Sequence, residues 1–199
     1  MTKNALIIFV KNPIEGQVKT RLAKTMGNSA AVAVYKQLLQ HTFSITKNLA
    51  VDKFVFYGDY INNNDLWLSN IYQKQQQKGF DLGERMKNAF DLIFNSGYDK
   101  TIIIGSDCYE LTQQILEEAF DELIIADTII GPCNDGGYYL LGMKQLIPEL
   151  FDNIQWSTDE VLSATKKVLQ DLQLQFELLQ TLNDVDEEAS LPIELQSFI

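Results

Sequence analysis

The feature that most constrains the fold is a regular alternation of short apolar runs with amphipathic helical patterns. Ala5–Val10 is a continuous apolar run, which is typical of a strand that is buried on both faces. Asn28 is predicted to cap a long helical pattern, and further strand-like runs lie at Lys53–Tyr57 and Thr101–Ile104. Because alternating strands and helices form layered sheets, we expect a three-layer α/β/α fold with a mostly parallel central sheet.

The rest of the chain continues this alternation, and its 199 residues suit a single domain over residues 1–199. The further predicted helices follow the capping residues Asp81, Thr112 and Thr158, and the further predicted strands are Asp127–Gly131, Tyr138–Met143 and Leu174–Leu182. Asp65–Asn70 is predicted to form a weak helical turn. Gln73–Lys78 contains no apolar residue and is predicted to be a solvated loop.

Charge and composition exclude several classes of protein. The net charge of −11 and the sequence pI near 4.5 argue against a nucleic-acid partner, because such binding depends on Lys and Arg contacts to phosphates. No apolar run approaches the ~20 residues of a membrane span, and the first run is shorter than a secretory signal. The two cysteines, Cys108 and Cys133, form no disulfide framework, so we expect a cytoplasmic protein.

The single histidine limits the chemistry further. Because His41 is the single histidine, a His-rich zinc site is excluded. Because His41 lies in a helical pattern, a Ser-His-Asp triad is disfavoured. We therefore expect the functional residues in the loops, since ligands of open parallel sheets bind beyond the carboxyl ends of the strands.

The loop after the first strand is basic on an otherwise acidic chain. Its basic residues are Lys11, Lys19, Arg21 and Lys24, against one acid, Glu15. Gly16 would let a ligand approach the backbone, and Arg21 offers a planar fork for phosphate. Val18 stands where a Walker A loop requires glycine, so this is not that motif. The pattern favours an anion site, with a solvated loop as the alternative.

Three further loops carry polar residues of interest. Asp107 follows the apolar Thr101–Ile104 run and could hold a divalent cation that bridges phosphates, or simply cap a turn. Asp135, with Gly136 and Gly137, could bind a sugar or nucleotide, although the same residues are also typical of a hairpin. Asp186 could complete the metal site of Asp107, or belong to a solvated acidic turn.

Six segments, in order along the chain, resemble the glycosyltransferase-like family known as DUF2064 or rSAM/selenodomain-associated transferase 1. These segments are Phe9–Pro13 with Gly16–Leu22, Gly79–Met86, Gly105–Cys108, Gly131–Gly142, Trp156–Thr158 and Asp184–Asp186. This family is related to the 2-phospholactate and molybdenum-cofactor guanylyltransferases. The resemblance implies a nucleotide-diphospho-sugar transferase fold of the GT-A type.

The resemblance also implies roles for individual residues. Those expected to bind the nucleotide and its phosphates are Lys11, Gly16, Lys19, Arg21 and Arg85, with Lys19 and Arg21 also taking part in catalysis beside Asp107. The expected ligands of Mg²⁺ or Mn²⁺ are Asp107 and, second, Asp186. The substrate-binding residues are expected to be Asp135, Gly136, Gly137 and Trp156.

The expected activity is metal-dependent transfer from a nucleotide-activated donor, most specifically glycosyl transfer from a nucleoside-diphosphate sugar to a small-molecule acceptor. Nucleotidyl transfer from a nucleoside triphosphate, with release of pyrophosphate, is the alternative. Tyr109 stands where the family has proline, and Glu187 where it has threonine, so a non-catalytic nucleotide sensor is a third possibility. The aromatic residues Trp67, Trp156, Tyr138 and Tyr139 could stack on a sugar or base, or pack in the core.

Overall fold

A computed structural model describes residues 2–198, and its strands all belong to one sheet. The strands are β1 Asn4–Val10, β2 Asp52–Tyr57, β3 Tyr72–Gln76, β4 Lys100–Ile104, β5 Thr128–Pro132, β6 Tyr138–Met143 and β7 Phe176–Leu178. The helices are α1 Thr20–Met26, α2 Asn28–Thr46, α3 Leu82–Asn95, α4 Gln113–Glu122, α5 Val161–Asp171 and α6 Ile193–Gln196. Short 3₁₀ turns lie at Pro148–Leu150 and Glu188–Ser190.

The sheet has the order β3-β2-β1-β4-β6-β5-β7 and is mostly parallel. β6 runs antiparallel to both of its neighbours, β4 and β5, while the other paired strands are parallel. The predicted mostly parallel sheet is therefore confirmed. Because β6 is reversed, its first residue, Tyr138, lies at the same edge of the sheet as the carboxyl ends of β4 and β5.

Apolar side chains pack on both faces of the sheet, as the continuous run of β1 predicts. Leu6 and Ile8 point to one face, where they pack with α1, α2, α4 and α6. Ala5 and Ile7 point to the other face, where they pack with α3 and α5. All four side chains are fully buried. Helices thus cover both faces, which confirms the three-layer α/β/α arrangement.

Two of the predicted helix caps are present. The Asp81 carboxylate accepts a hydrogen bond from the Glu84 backbone at 2.8 Å at the start of α3. The Thr112 hydroxyl accepts one from the Ile115 backbone at 3.3 Å at the start of α4. The Asn28 and Thr158 predictions are wrong, since α2 already includes Asn28 and has no capping side chain, and α5 begins only at Val161. No helix among residues 2–198 is long and apolar enough to cross a membrane.

Four other local predictions need correction. Gln73–Lys78 is not a solvated loop, because most of it forms the edge strand β3, which pairs with β2 through backbone hydrogen bonds that need no apolar side chains. Asp65–Asn70 forms no helix, because the Asp65 carboxylate accepts a hydrogen bond from the Trp67 backbone at 3.1 Å, which favours a turn over a helix; Tyr57 and Lys74 also donate to it. The basic loop is shorter than expected, since α1 begins at Thr20. The last strand is also shorter and covers only Phe176–Leu178.

Candidate functional site

Loops from distant parts of the chain meet at the carboxyl edge of the sheet. They follow β1, β4, β5 and β7, and the bridge between Cys133 and Leu182 joins the third of them to the fourth. The backbone of Val185 donates a hydrogen bond to the Asp107 carbonyl at 2.9 Å, which joins the fourth loop to the second. The topology therefore gathers the predicted site residues of these loops at one edge.

Lys19 forms the centre of this meeting point. Its ammonium lies 2.9 Å from Oδ1 of Asp107 and 2.8 Å from Oδ1 of Asp186, and its side chain is only 3% exposed. Burial acts to lower the pKa of Lys19, but the two carboxylates outweigh burial, and the net result is a raised pKa. Lys19 is therefore a permanently charged bridge between two loops.

The backbone of Lys19 is unusual. Its φ and ψ are both 47°, in the left-handed region, and it precedes α1 without a capping side chain. A residue other than glycine pays about 1 kcal/mol for this conformation. Such strain persists only where the surroundings enforce it, and here the two ion pairs hold the Lys19 side chain in place.

Asp184 is a third carboxyl group beside this pair, and no role was predicted for it from the sequence. Burial, assisted mainly by the charge of Asp107, raises the pKa of Asp184 to about 7. The spacing between Asp184 and Asp186 could have indicated that Asp184 belongs to the site, because residues two apart in an extended chain point to the same side. The site therefore combines one ammonium with three carboxyl groups.

The donor set of this site suits a hard divalent cation. Mg²⁺ takes oxygen ligands and is commonly held by one or two carboxylates together with water and substrate phosphates. The side chains of Asp107 and Asp186 are 42% and 43% exposed, so each retains an accessible oxygen beyond the one that accepts from Lys19. Residues 2–198 contain no ready cage of three or more His, Cys, Asp or Glu side chains. These carboxylates therefore fit a divalent metal ion whose remaining ligands include phosphate oxygens.

Three of the other predicted phosphate-binding residues, Lys11, Gly16 and Arg21, lie on the same loop or directly after it. Arg21, in the first turn of α1, is 65% exposed and lies 4.0 Å from Glu187, a neighbour of Asp186. Gly16 is exposed, with φ +76°, and nothing would contact a Cβ there. Lys11 is exposed and lies beside a cleft of about 90 Å³. Only Arg21 among these contacts the acidic segment.

The Asp135–Gly137 turn joins β5 to β6, so the hairpin interpretation is confirmed. Oδ1 of Asp135 accepts a hydrogen bond from the Gly137 backbone at 2.9 Å, which leaves the exposed carboxylate with a free oxygen. Gly136 has φ +87° and packs so closely on the Asp159 backbone that a side chain has no room. The turn thus packs closely against Asp159, and Asp135 remains available to a ligand.

Arg85 and Trp156 lie together at the start of α3. Nε of Arg85 donates to the Gly79 carbonyl at 3.1 Å, and the indole of Trp156 lies directly over Gly83. The Trp156 ring is also stacked near Phe151, with centroids 6.4 Å apart. Within residues 2–198, no direct hydrogen bond or ion pair joins these two side chains to Lys19 or its carboxylates, so they form a separate group.

The remaining candidates are core residues. Trp67 is 2% exposed and packs edge-on against Tyr72, and Tyr139 is 3% exposed with its hydroxyl bonded to the Gln180 carbonyl. The hydroxyl of Tyr138 is also buried. His41 is part of α2 and contacts the Leu111 carbonyl at 2.8 Å. Packing therefore explains these aromatic rings.

The fold and the edge loops define the class of nucleotide-diphospho-sugar transferase-like proteins. A provisionally assigned nucleotide-diphospho-sugar transferase from Desulfovibrio desulfuricans G20 is 32% identical, with a TM-score of 0.86 over 94% of this chain and 84% of that one. Residues 18–158 match the family of uncharacterized proteins conserved in bacteria called DUF2064. The chain belongs to the DUF2064 family.

More distant solved structures share the fold alone. HddC from Yersinia pseudotuberculosis is 12% identical, with a TM-score of 0.57 over 98% of this chain and 99% of that one. The inositol-1-phosphate CTP transferase from T. maritima is 13% identical, with a TM-score of 0.55 over 99% and 94% of the two chains. No curated protein matches the chain.

Proposed function

We propose that this protein is a transferase that takes a nucleotide-activated donor, and that the reaction is glycosyl transfer from a nucleoside-diphosphate sugar. The observation that carries the proposal is the bridge from Lys19 to Asp107 and Asp186. It places a buried cation and two accessible carboxylates at the sheet edge where such folds bind ligands. The 32% identical relative named as a nucleotide-diphospho-sugar transferase supports the same class.

The basic residues of the first loop would bind the donor's phosphates. Lys19 and Arg21 supply positive charge near the acidic segment, and Gly16 and Lys11 lie earlier in the loop that leads to Lys19. Preorganised charge of this kind stabilises a developing negative charge, and the loss of one such donor typically costs ~3–4 kcal/mol of barrier.

Asp107 and Asp186 would hold Mg²⁺ or Mn²⁺ through their exposed oxygens. When bound, such an ion neutralises the diphosphate and stabilises the charge on the leaving group. The transferred group would then lie toward the turn of Asp135, Gly136 and Gly137. The free oxygen of Asp135 would accept hydrogen bonds from hydroxyl groups, and Trp156 would offer an aromatic face on the α3 side.

Nucleotidyl transfer is the second candidate reaction. It is favoured by the similarity in fold to the inositol-1-phosphate CTP transferase from T. maritima and to a CMP:2-keto-3-deoxy-manno-octonic acid synthetase complexed with CTP. In this reaction an acceptor attacks the α-phosphate of a nucleoside triphosphate, and pyrophosphate leaves.

One product assay separates the candidates. The protein is incubated with Mn²⁺ and either nucleoside triphosphates or nucleoside-diphosphate sugars, over a panel of small hydroxylated acceptors. Release of nucleoside diphosphate supports glycosyl transfer, and release of pyrophosphate supports nucleotidyl transfer. Tight binding without turnover would indicate a nucleotide sensor, and the absence of binding to any nucleotide would overturn the proposal.

A further inference from the structure

Lys19 occupies the space between the same two carboxylates that are proposed to hold a divalent cation. Its ammonium is within 2.9 Å of one oxygen of each carboxylate, and its side chain is only 3% exposed. A divalent ion on the exposed oxygens of the same two carboxylates would lie only a few ångströms from this ammonium, and like charges at that distance repel strongly around a poorly solvated ammonium. The two cations are therefore competitors.

We infer that Lys19 is an exchangeable internal cation, which must leave Asp107 and Asp186 when the metal binds and which then pairs with the phosphates of the incoming nucleotide. This inference rests on the proposed function and concerns how metal and nucleotide depend on each other. Lysine suits the exchange because its charge is carried on a flexible four-carbon stem.

The charges of the site explain the direction of the exchange. With Lys19, the pair Asp107 and Asp186 has a net charge of −1, which still attracts a cation, and Asp184 beside it can only add negative charge. A divalent ion without nucleotide would neutralise the carboxylates but leave the Lys19 ammonium without a partner. A phosphate that arrives with the metal supplies that partner. Metal and nucleotide should therefore bind together much better than either binds alone, and this coupling is reciprocal.

The backbone of the first loop is compatible with movement of Lys19. The residue is held in the left-handed region at φ 47°, a conformation that favours glycine, and it lies at the junction of the loop and α1. Because the two ion pairs hold the side chain in place, their loss would leave the backbone free to adopt a less strained conformation. Val18, the preceding residue, is 2% exposed in the core, so the loop has a fixed point next to the moving one.

The test measures Mn²⁺ binding without nucleotide, by calorimetry, in the wild type and in Lys19→Met. Removal of the competing ammonium should tighten Mn²⁺ binding at least about tenfold. The same variant should bind the nucleotide more weakly and lose the mutual enhancement between Mn²⁺ and nucleotide. Lys167→Met is the matched control, since Lys167 is exposed on α5, and it should change neither quantity. Unchanged or weaker Mn²⁺ binding by Lys19→Met would overturn the exchange.

A second measurement uses the wild-type protein and does not depend on the folding of a variant. Acetylation of lysines is followed by mass spectrometry, with Lys167 as the internal reference. Lys19 should be unreactive in the free protein, become reactive with Mn²⁺ alone and be protected again when nucleotide is added. A Lys19 that stays unreactive with saturating Mn²⁺ alone contradicts the exchange. If no nucleotide binds under any condition, the proposed function fails instead, and the two failures are thereby distinguished.

Discussion

The contact between Gly83 and Trp156 gives a stability prediction whose sign depends on the background. A Cβ at Gly83 would lie 2.8 Å from Cζ2 of Trp156 and closer still to the indole nitrogen, so the ring would have to move. Forcing extra volume into a packed contact costs roughly 1–3 kcal/mol. Alanine in place of glycine in a helix gains about 0.5–1 kcal/mol. Gly83→Ala should therefore destabilise the wild type by roughly 1–2 kcal/mol.

The sign should reverse when the indole is absent. In Trp156→Ala there is no ring to displace, so adding Gly83→Ala should stabilise by about 0.5–1 kcal/mol. The interaction energy of the double-mutant cycle should be roughly 2 kcal/mol, which urea denaturation can measure. If Gly83→Ala stabilises both backgrounds equally, Trp156 does not lie over α3 and the geometry of this group is wrong.

Two further predictions concern stability. The folded-state pKa of Asp184 is about 7, above the ordinary 3.8, which means that the folded protein binds this proton more tightly than the unfolded chain does. The free energy of unfolding of the wild type, measured in the presence of a chelator, should therefore fall as the pH rises between these values. Asp184→Asn should lack this fall, and a wild type without the fall would contradict the prediction. Tyr57→Phe should lower the free energy of unfolding in urea denaturation by about 1–2 kcal/mol, because it removes the 2.6 Å hydrogen bond to Asp65. A loss below about 0.5 kcal/mol would mean that the other donors to this carboxylate, Lys74 and the Trp67 backbone, suffice without Tyr57.

The parts of the fold that the sequence predicts well are those buried on both sides. β1 and β4 are continuous apolar runs because helices cover both faces of the sheet there. β3 escaped prediction because an edge strand needs only backbone partners, and its polar glutamine and lysine side chains give no apolar signal. α1 escaped because it has seven residues and begins after Lys19 without a capping side chain.

The sequence predicts which residues are candidates for the site, but it does not predict that they lie close together in the fold. Asp107 follows a buried strand, and that position alone made it a candidate. Lys19 and Asp186 are 167 residues apart in sequence, and only the strand order brings them to the same place. Asp184 gained its raised pKa from burial and from neighbours on other loops, which no local pattern records.

The most direct test of the central claim is calorimetric binding of nucleotides in the presence of Mn²⁺ to the wild type and to Asp107→Asn. Asp91→Asn, at an exposed position of α3, is the matched control. We expect the wild type and the control to bind a nucleoside-diphosphate sugar or a nucleoside triphosphate with a strong dependence on Mn²⁺, and Asp107→Asn to lose that dependence. Metal-dependent binding that survives unchanged in Asp107→Asn would contradict the proposal that Asp107 holds the metal ion.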